Sequence, residues 1–278
     1  MDLSDILAIV DATAGGDHVI RFVEQLADQH PVHVSGLVIG WRPAFRLSEA
    51  TAVDAPIRQW MEAAEETLEL DVRTVRSRFE QLPTPGEVEG LFVDARTARQ
   101  AVGIRALHRD VSVVARPRDL AVETANCLVE AVLIRSGRPV FVVPPGWTRR
   151  EIGRVVLVCW KPTREAARAV ADAGPIIRSA ERVVVVTVDA HPDKSDHGEA
   201  SGAAICAHLA RAGAKVDLDN LSSGGRTDAE TILAHALSVG ADLIVMGGYG
   251  HSRMREFVLG GLTREMLTNA STPLLMSH

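Results

Sequence analysis

The feature that most constrains the fold of this sequence is an internal duplication. Each half begins with a short apolar run, Ile6–Val10 or Val155–Cys159, followed by a helix-like segment and a second apolar run. Two later apolar runs also recur, at 111–114 and 138–143 in the first half and at 243–245 and 272–276 in the second. Self-similarity of this kind indicates one structural unit that occurs twice. We therefore predict a first unit over residues 1–146 and a second unit over residues 147–278, joined by a linker at 144–148.

The alternation of apolar runs with helical segments indicates the fold class. Helices are predicted at 17–29, 55–81, 163–179 and 262–269. Strands that alternate with helices form βαβ units with a parallel sheet. The run Val183–Val186 is typical of a strand that is buried on both faces. Since βαβ crossovers are right-handed, we predict an α/β protein with two tandem open doubly wound parallel sheets.

Length, charge and cysteine content narrow the classes of function. With 278 residues, 46% of them apolar, each unit is long enough to bury a core. Residues 1–146 contain 15 basic and 21 acidic side chains, and residues 147–278 contain 15 of each. The basic residues form no run, which argues against a nucleic-acid partner. No apolar stretch approaches the roughly 20 residues of a membrane span, and no signal peptide is apparent, so we expect no membrane partner. Three cysteines without ligand or redox spacing favour a reduced, cytoplasmic protein.

A glycine-rich loop follows a predicted strand in the second unit. Gly247, Gly250, Gly260 and Gly261 form the pattern G-x2-G-x9-G-G, ahead of a helix-like segment. Glycines let the backbone approach a phosphate and take positive φ, and N–H groups at a helix start point toward an anion. A loop at the end of a strand also lies in the crevice where open α/β sheets bind ligands. The spacing alone leaves open a phosphate site and an ordinary tight turn.

Other motifs give little support to catalysis or metal binding. The chain has no G-x4-G-K-[ST] loop, and no G-x-G-x-x-G follows its first strand. His191, Asp193, Asp196 and His197 are ligand types within seven residues, but their spacing matches no metal motif, so we predict no metal site. Ser252 lies in a G-H-S-R sequence rather than in G-x-S-x-G, which argues against a serine nucleophile. We identify no catalytic residue.

Residues 241–267 read ADLIVMGGYGHSRMREFVLGGLTREML, and residues 271–276 read STPLLM. This stretch resembles the C-terminal signature of the universal stress protein family. Together with the duplication, it makes the whole chain similar to a tandem, two-domain member of that family. The resemblance implies the universal stress protein fold of the adenine-nucleotide alpha-hydrolase-like superfamily, with strand order 3-2-1-4-5 in each unit.

The resemblance implies an ATP site in the second unit. ATP-binding members of the family use a G-x2-G-x9-G-[S/T] motif around the triphosphate. Gly247, Gly250 and Gly260 match this motif, whereas Gly261 stands where Ser or Thr is usual. Gly261 keeps its backbone N–H but lacks the hydroxyl, so a hydrogen bond worth about 1 kcal/mol is missing.

Five further residues are assigned to this site by resemblance. Met246 ends the strand before the loop, at a position that lines the nucleotide pocket in the family. Leu262 and Thr263 follow the last glycine, and Thr263 is also a candidate cap for the next helix. The backbone at Val188 corresponds to the position that recognises adenine. Lys161 replaces the acidic residue expected near the ribose and phosphates, where it either attracts phosphate or is merely solvated.

The first unit has a different sequence at the position of the loop. Residues 115–120 read ARPRDL and contain no glycine, although Asp11 matches the acidic position of the family. Pro117 removes an N–H and fixes φ, both of which are unfavourable for a phosphate loop. We predict that the first unit does not bind nucleotide in the manner of the family.

The resemblance implies a regulatory stress-response protein that binds ATP, with or without Mg²⁺, in its second unit. It implies no efficient catalysis, at most slow ATP hydrolysis. The alternative is an interaction module whose pocket is vestigial or takes another small ligand, and an enzyme is the third hypothesis. The resemblance also implies a homodimer. It further pairs the last strands of the two units, 140–143 and 274–276, within one chain.

Overall fold

The structure is a computed structural model of the 278-residue chain. It describes residues 3–11, 16–42, 55–117, 123–148, 151–190, 199–250 and 260–278. His191, Asp193, Asp196 and His197, considered above as metal ligands, and Ser252, considered as a nucleophile, lie outside the described residues.

The first unit alternates strands and helices along the chain. Its strands are β1 (Asp5–Asp11), β2 (His33–Trp41), β3 (Pro85–Val93), β4 (Val111–Ala115) and β5 (Val140–Val143). Its helices are α1 (Asp17–Gln29), α2 (Ala55–Phe79), α3 (Ala95–Leu107) and α4 (Glu123–Glu130), and a π-helical segment (Ala131–Ser136) continues α4.

The second unit repeats this order. Its strands are β6 (Val155–Cys159), β7 (Arg182–Val188), β8 (Val216–Leu221), β9 (Leu243–Gly247) and β10 (Leu274–Ser277). Its helices are α5 (Arg164–Asp172), α6 (Gly174–Ser179), α7 (Glu199–Arg211), α8 (Asp228–Ser238) and α9 (Gly261–Asn269). The single helix predicted over 163–179 is wrong in one respect, because it breaks into α5 and α6 at Ala173, and Pro175 lies in the first turn of α6. Proline has no N–H to continue the ladder and is tolerated at the start of the second helix.

The ten described strands form one continuous sheet in the order β3-β2-β1-β4-β5-β10-β9-β6-β7-β8. Within each unit the strands are parallel, and their order is 3-2-1-4-5 as predicted. Val183–Val186 are each at most 1% exposed, which confirms a strand that is covered on both faces. The two predicted sheets are therefore two halves of one larger sheet.

The seam between the half-sheets is the antiparallel pair β5–β10. Phe141 lies opposite Leu275, and the neighbouring pairs are Val142 with Leu274 and Val140 with Met276. This pairing within one chain confirms the prediction made for residues 140–143 and 274–276. Each unit thereby covers the edge strand of the other, which removes an unpaired apolar edge.

Helices cover both faces of the sheet, as the doubly wound class requires. Buried side chains of α1, α2, α5 and α7 pack on one face, and those of α3, α4, α8 and α9 pack on the other. Trp147, in the segment after β5, packs on Phe22 of α1 with ring centroids 6.4 Å apart. No helix among the described residues is both long and apolar enough to cross a bilayer.

The duplication extends to an aspartate that holds the first strand of each unit, buried in the second unit and partly exposed in the first. In the second unit, Asp242 accepts hydrogen bonds from the backbone N–H groups of Gly153, Arg154 and Val155, at 2.8, 3.2 and 3.2 Å. In the first unit, Asp110 accepts from Ser4 and Asp5, both at 3.0 Å. Both aspartates immediately precede the fourth strand of their unit, so the start of the first strand is fixed against the fourth in both copies.

Candidate functional site

The candidate site lies at the C-terminal edge of the second half-sheet. Strands β7, β6 and β9 are parallel neighbours in that order, and they end at Val188, Cys159 and Gly247. Neighbouring strands are about 4.8 Å apart, so these three strand ends lie within roughly 10 Å of each other. The glycine loop thus leaves the sheet where open α/β folds bind their ligands.

Gly247 is required by the packing of β9 against α5. A Cβ atom built on Gly247 would lie 2.6 Å from the backbone nitrogen of Ala166 and 2.7 Å from the carbonyl carbon of Glu165. These backbone atoms belong to the first turn of α5 and cannot rotate away. The first glycine of the motif therefore allows a close approach of two elements of the protein itself.

The motif glycines do not use the left-handed backbone that the sequence suggested. Gly247, Gly250, Gly260 and Gly261 all lack positive φ, whereas Tyr249 between them has φ +58°. A bulky residue rarely adopts this conformation, which costs about 1–2 kcal/mol. The expectation of positive φ at these glycines was wrong. The close packing of Gly247 on α5 and the space around Gly260 and Gly261 among the described residues explain the glycines better.

Contacts with the C-terminus and with the first unit surround Tyr249. Its ring meets the ring of His278 edge-on, with centroids 6.5 Å apart, and His278 Nδ1 lies 3.2 Å from the Gly248 carbonyl oxygen. Burial, together with the negative charge of Glu130, raises the pKa of the Tyr249 phenol. Glu130 forms an ion pair with Arg99 at 3.2 Å, and both belong to the first unit. The start of the glycine loop therefore lies at the boundary between the units.

A negative charge lies directly beside Gly250. A Cβ atom on this exposed glycine would be 3.3 Å from Oε2 of Glu165, whose residue is only 8% exposed. Burial by itself raises the pKa of Glu165. Hydrogen bonds from its own backbone N–H, Arg164 and the Thr163 hydroxyl outweigh this effect and hold the pKa below its usual value. Glu165 is therefore ionised at neutral pH.

The first turn of α5 already has oxygen partners from the protein. Thr163 is the N-cap, and its Oγ1 accepts a hydrogen bond from the Ala166 N–H at 3.3 Å. The carboxylate of Glu165 adds negative charge at the same helix end, where the helix dipole stabilises it. The turn after the first strand is a frequent phosphate site in doubly wound folds, but here internal groups occupy it.

The residues that the structure describes leave the first turn of α9 open. Its N-cap, Gly260, has no side chain to cap the helix, and apart from chain neighbours no atom of the described residues lies within 4 Å of a Cβ added to Gly260 or Gly261. The first N–H groups of a helix have no partner within the helix, so this end can receive an anion. Thr263 was a candidate cap for α9, but this was wrong: the N-cap is Gly260, and Thr263 is the third residue inside the helix and only 6% exposed.

The other predicted residues lie at the same edge of the sheet but differ in accessibility. Met246 is 2% exposed and packs in the core on the face of α8 and α9. Val188 ends β7 and is half-buried, as is Leu262 at the start of α9. Lys161 follows β6 with an exposed side chain, and its carbonyl accepts the Thr163 N–H at 2.7 Å. The structure thus brings Lys161, Val188 and the glycine loop together and leaves Met246 in the core.

The equivalent position of the first unit carries a long cationic side chain. The Arg116 N–H donates to the Val143 carbonyl at 2.7 Å, as the Gly248 N–H donates to the Ser277 carbonyl at 2.8 Å. The Arg116 guanidinium then reaches the Leu267 carbonyl of α9 at 3.4 Å. The first unit therefore uses this position to contact the second unit.

A cavity of about 550 Å³ lies in the first half-sheet, at the amino ends of β1, β2 and β3. It adjoins a β-bulge in β3, where a Cβ on Gly86 would lie 1.9 Å from the Val34 carbonyl oxygen. Its arginines already donate to the protein: Arg76 to the Val88 carbonyl, Arg105 to Glu89 and Arg109 to Asp5. The cavity lies at the amino ends of the strands, whereas open α/β folds bind their ligands at the carboxyl ends, so the glycine loop remains the better candidate.

Comparison with known proteins identifies the family of the second unit. The parallel strand order and the helices on both faces define a doubly wound α/β domain. Residues 154–278 match the model of the universal stress protein family, so this part of the chain belongs to that family. No curated protein matches the chain.

Solved structures show the same fold over the whole chain. A universal stress protein from Archaeoglobus fulgidus DSM 4304 is similar with a TM-score of 0.68 at 17% identity, covering 97% of both chains. A functionally unknown protein from Pseudomonas aeruginosa PAO1 gives a TM-score of 0.58 at 14% identity, covering 98% of this chain and 92% of that one. The cytoplasmic domain of a prokaryotic cation chloride cotransporter gives 0.51 at 11%, covering 99% and 95%. At these identities the likeness establishes the fold alone, and the fold does not decide the function.

The sequence analysis missed Glu165 and the contacts of Tyr249. A signal for Glu165 was available, because Thr163 followed by an acidic residue in the next turn is typical of a helix start. No sequence signal indicates that Tyr249 lies near Glu130 and Arg99, since this proximity depends on how the two units pack.

Among the described residues, no group of three or more His, Cys, Asp or Glu side chains is placed to hold a metal ion.

Proposed function

We propose that the second unit binds ATP, with or without Mg²⁺, and that the protein acts in a stress response as a regulator rather than as an efficient enzyme. The observation that carries this proposal is the open first turn of α9, which follows the glycine loop at the C-terminal edge of the sheet. Membership of residues 154–278 in the universal stress protein family supports it.

The described residues fit an adenine nucleotide. The N–H groups of Gly261 and Leu262, in the first turn of α9, are suited to phosphate oxygens, and no side chain of the described residues obstructs the approach at Gly260. Lys161 offers a cation after the end of β6, and we assign recognition of the base to the Val188 backbone, at the end of β7, from the family resemblance. In this arrangement the phosphates lie at α9 and the base lies toward β7.

The residues near the loop offer little for catalysis. Burial raises the pKa of the Cys159 thiol to about 12, so it is not a thiolate at neutral pH. Glu165 has a lowered pKa and is committed to hydrogen bonds at the start of α5, which makes it a weak general base. A binding and signalling role therefore fits these side chains better than turnover.

The primary test is to identify the bound small molecule. The purified protein is denatured, the released molecule is identified by mass spectrometry, and ATP is then titrated into ligand-free protein. We expect an adenine nucleotide in the released fraction and a Kd below the millimolar range. Absence of both results would favour the alternative, an interaction module whose pocket is vestigial or takes another ligand.

Gly250→Val is expected to abolish ATP binding. Its Cβ alone would lie 3.3 Å from Glu165 Oε2, so the branched side chain must project into the space beside the loop backbone. Isothermal titration calorimetry should show a Kd raised by about 100-fold or more. The matched control is Lys215→Val, at an exposed site before β8 and at the opposite edge of the sheet. A Gly250→Val protein that binds ATP as tightly as this control contradicts the proposed site.

Gly261→Ser is expected to strengthen ATP binding about fivefold, which corresponds to about 1 kcal/mol. The position has room for a side chain, and the new hydroxyl can donate to a phosphate oxygen at the start of α9. Gly261→Ala is the control, since it adds the Cβ without the hydroxyl. Equal Kd values for the serine and alanine variants would place the phosphates elsewhere.

The assembly and the location of the protein are part of the proposal. We place it in the cytoplasm, in keeping with Cys127, Cys159 and Cys206, which form no disulfide in the part of the chain that the structure describes. The last strands of the units pair with each other, so the proposed homodimer uses other surfaces. Light scattering should give twice the 29.9 kDa mass of one chain, and 29.9 kDa itself would show a monomer.

A further inference from the structure

An arginine of the first unit bonds to the C-terminal end of α9. Arg116 Nη1 donates to the Leu267 carbonyl at 3.4 Å. Leu267 lies in the last turn of α9, which spans Gly261–Asn269. The last carbonyls of a helix have no partner within the helix and form its negative end. A cationic donor from the first unit therefore completes the hydrogen bonding of α9 and stabilises its dipole.

The guanidinium reaches α9 from a fixed point of the first half-sheet. The Arg116 N–H donates to the Val143 carbonyl at 2.7 Å, so the residue continues the parallel pairing of β4 with β5. In turn, β5 pairs with β10, the strand that follows α9. Burial lowers the pKa of the Arg116 guanidinium, which still stays charged at neutral pH. The contact therefore links the end of a strand in the first unit to α9 through a charged donor.

The second unit does not return this contact from the equivalent position. Gly248 makes the matching backbone bond, from its N–H to the Ser277 carbonyl, but it has no side chain that can reach the first unit. A Cβ on Gly248 would lie 2.8 Å from Cε of Met276, so β10 fills the space beside it. The unit that has no glycine loop thus supports a helix of the unit that has one, and the support is asymmetric.

Among the described residues, the contacts that orient α9 lie at its middle and at its C-terminal end. Thr227 Oγ1, at the N-cap of α8, donates to Glu265 Oε2 at 2.5 Å. Leu267 is 0% exposed and belongs to the buried cluster that also contains Val142 of β5. By contrast, Gly261 at the start of the helix is exposed. The position of the first turn of α9 therefore depends on how the rest of the helix is held.

We infer that Arg116 is a positioning residue for ATP binding, through which the first unit fixes α9 and so places the helix start that receives the phosphates. The six residues from Gly261 to Leu267 span about 9 Å of helix, which moves largely as one body, so a displacement at Leu267 is carried to the first turn. Binding groups that shift by a fraction of an ångström lose affinity. The inference rests on the proposed ATP site and adds a role for the first unit in binding.

The test compares Arg116→Met with Arg138→Met. Arg138 is the matched control, because its Nε and Nη2 donate to the Leu107 carbonyl at the end of α3, at 3.3 and 3.2 Å, within the first unit. Each variant removes an arginine that bonds to the end of a helix, so both should lower the urea midpoint to a similar small extent. Only Arg116→Met should raise the Kd for ATP, by about fivefold in isothermal titration calorimetry. Only Arg116→Met should speed hydrogen exchange of the α9 amides 264–269, by about tenfold.

Two further variants keep the inference testable if Arg116→Met does not fold. Arg116→Lys keeps a charged donor for a bond that uses a single N–H, so its Kd for ATP should stay within about twofold of the native value. Arg116→Gln keeps a shorter, neutral donor, and its Kd should rise about threefold. Equal ATP affinities in the Arg116 variants and Arg138→Met, or unchanged exchange of α9, would overturn the inference alone. If the native protein binds no ATP, the proposed function fails and this inference fails with it.

Discussion

Gly247→Ala is expected to lower the free energy of unfolding of the protein by about 3 kcal/mol. The added Cβ would lie 2.6 Å from the Ala166 nitrogen and 2.8 Å from the Glu165 Cβ, so β9 and α5 must separate. Because this displacement also moves the loop that follows β9, ATP binding should weaken in the same variant. Urea unfolding followed by far-UV circular dichroism measures the change in stability.

Gly261→Ala is the control for this prediction, because the same atom enters open space at the start of α9. Its unfolding free energy should differ from that of the native protein by less than about 1 kcal/mol, in the stabilising direction, since alanine is the better helix former. If the two variants are equally stable, the close packing at Gly247 does not limit substitution.

Asp242→Ala is expected to cost about 4 kcal/mol of stability. The residue is 3% exposed, and its carboxylate accepts from three backbone N–H groups that the substitution leaves without this partner. Each buried donor without a partner costs about 1–3 kcal/mol. Urea denaturation should show a lower midpoint, and Asp242→Asn should fall between the native protein and the alanine variant.

The duplication supplies the control for Asp242→Ala. Asp110 has the equivalent role in the first unit but accepts from only two N–H groups, in a position that is more accessible to water. Water can replace part of the hydrogen bonding that Asp110→Ala removes, so this variant should lose about 1 kcal/mol of unfolding free energy. A larger loss in Asp110→Ala than in Asp242→Ala would show that burial does not set the difference.

The repeat of strands and helices could be predicted because each strand is a short run of valine, isoleucine or leucine. Local patterns of this kind survive in the fold: α1 has its predicted bounds, and Val183–Val186 form a buried strand. The strand order and the β5–β10 pairing were predicted from the family resemblance. The observed order and the pairing of Phe141 with Leu275 confirm both predictions. The break at Ala173 was missed, although the proline two residues later is a local signal.

The motif located the candidate site, whereas its electrostatics depended on tertiary contacts. The spacing of the glycines indicated the loop, but only the packing of β9 on α5 explains why Gly247 has no side chain. Glu165 looks like an ordinary residue of a helix until the fold places it beside Gly250. Asp110 and Asp242 carried a signal that was overlooked, since an aspartate recurs before the fourth strand of each copy.

The seam between Phe141 and Leu275 changes how the two units can evolve and how they respond to dilution. In a dimer of identical chains both sides of the interface carry the same residues, and the pair separates as its concentration falls. Here the two sides belong to one polypeptide, so the association does not depend on concentration. A substitution in one unit leaves the other unchanged, so Phe141 can pack on Phe22, with ring centroids 5.2 Å apart, while the opposite position holds Leu275. One copy could therefore keep its glycine loop while the other replaced it.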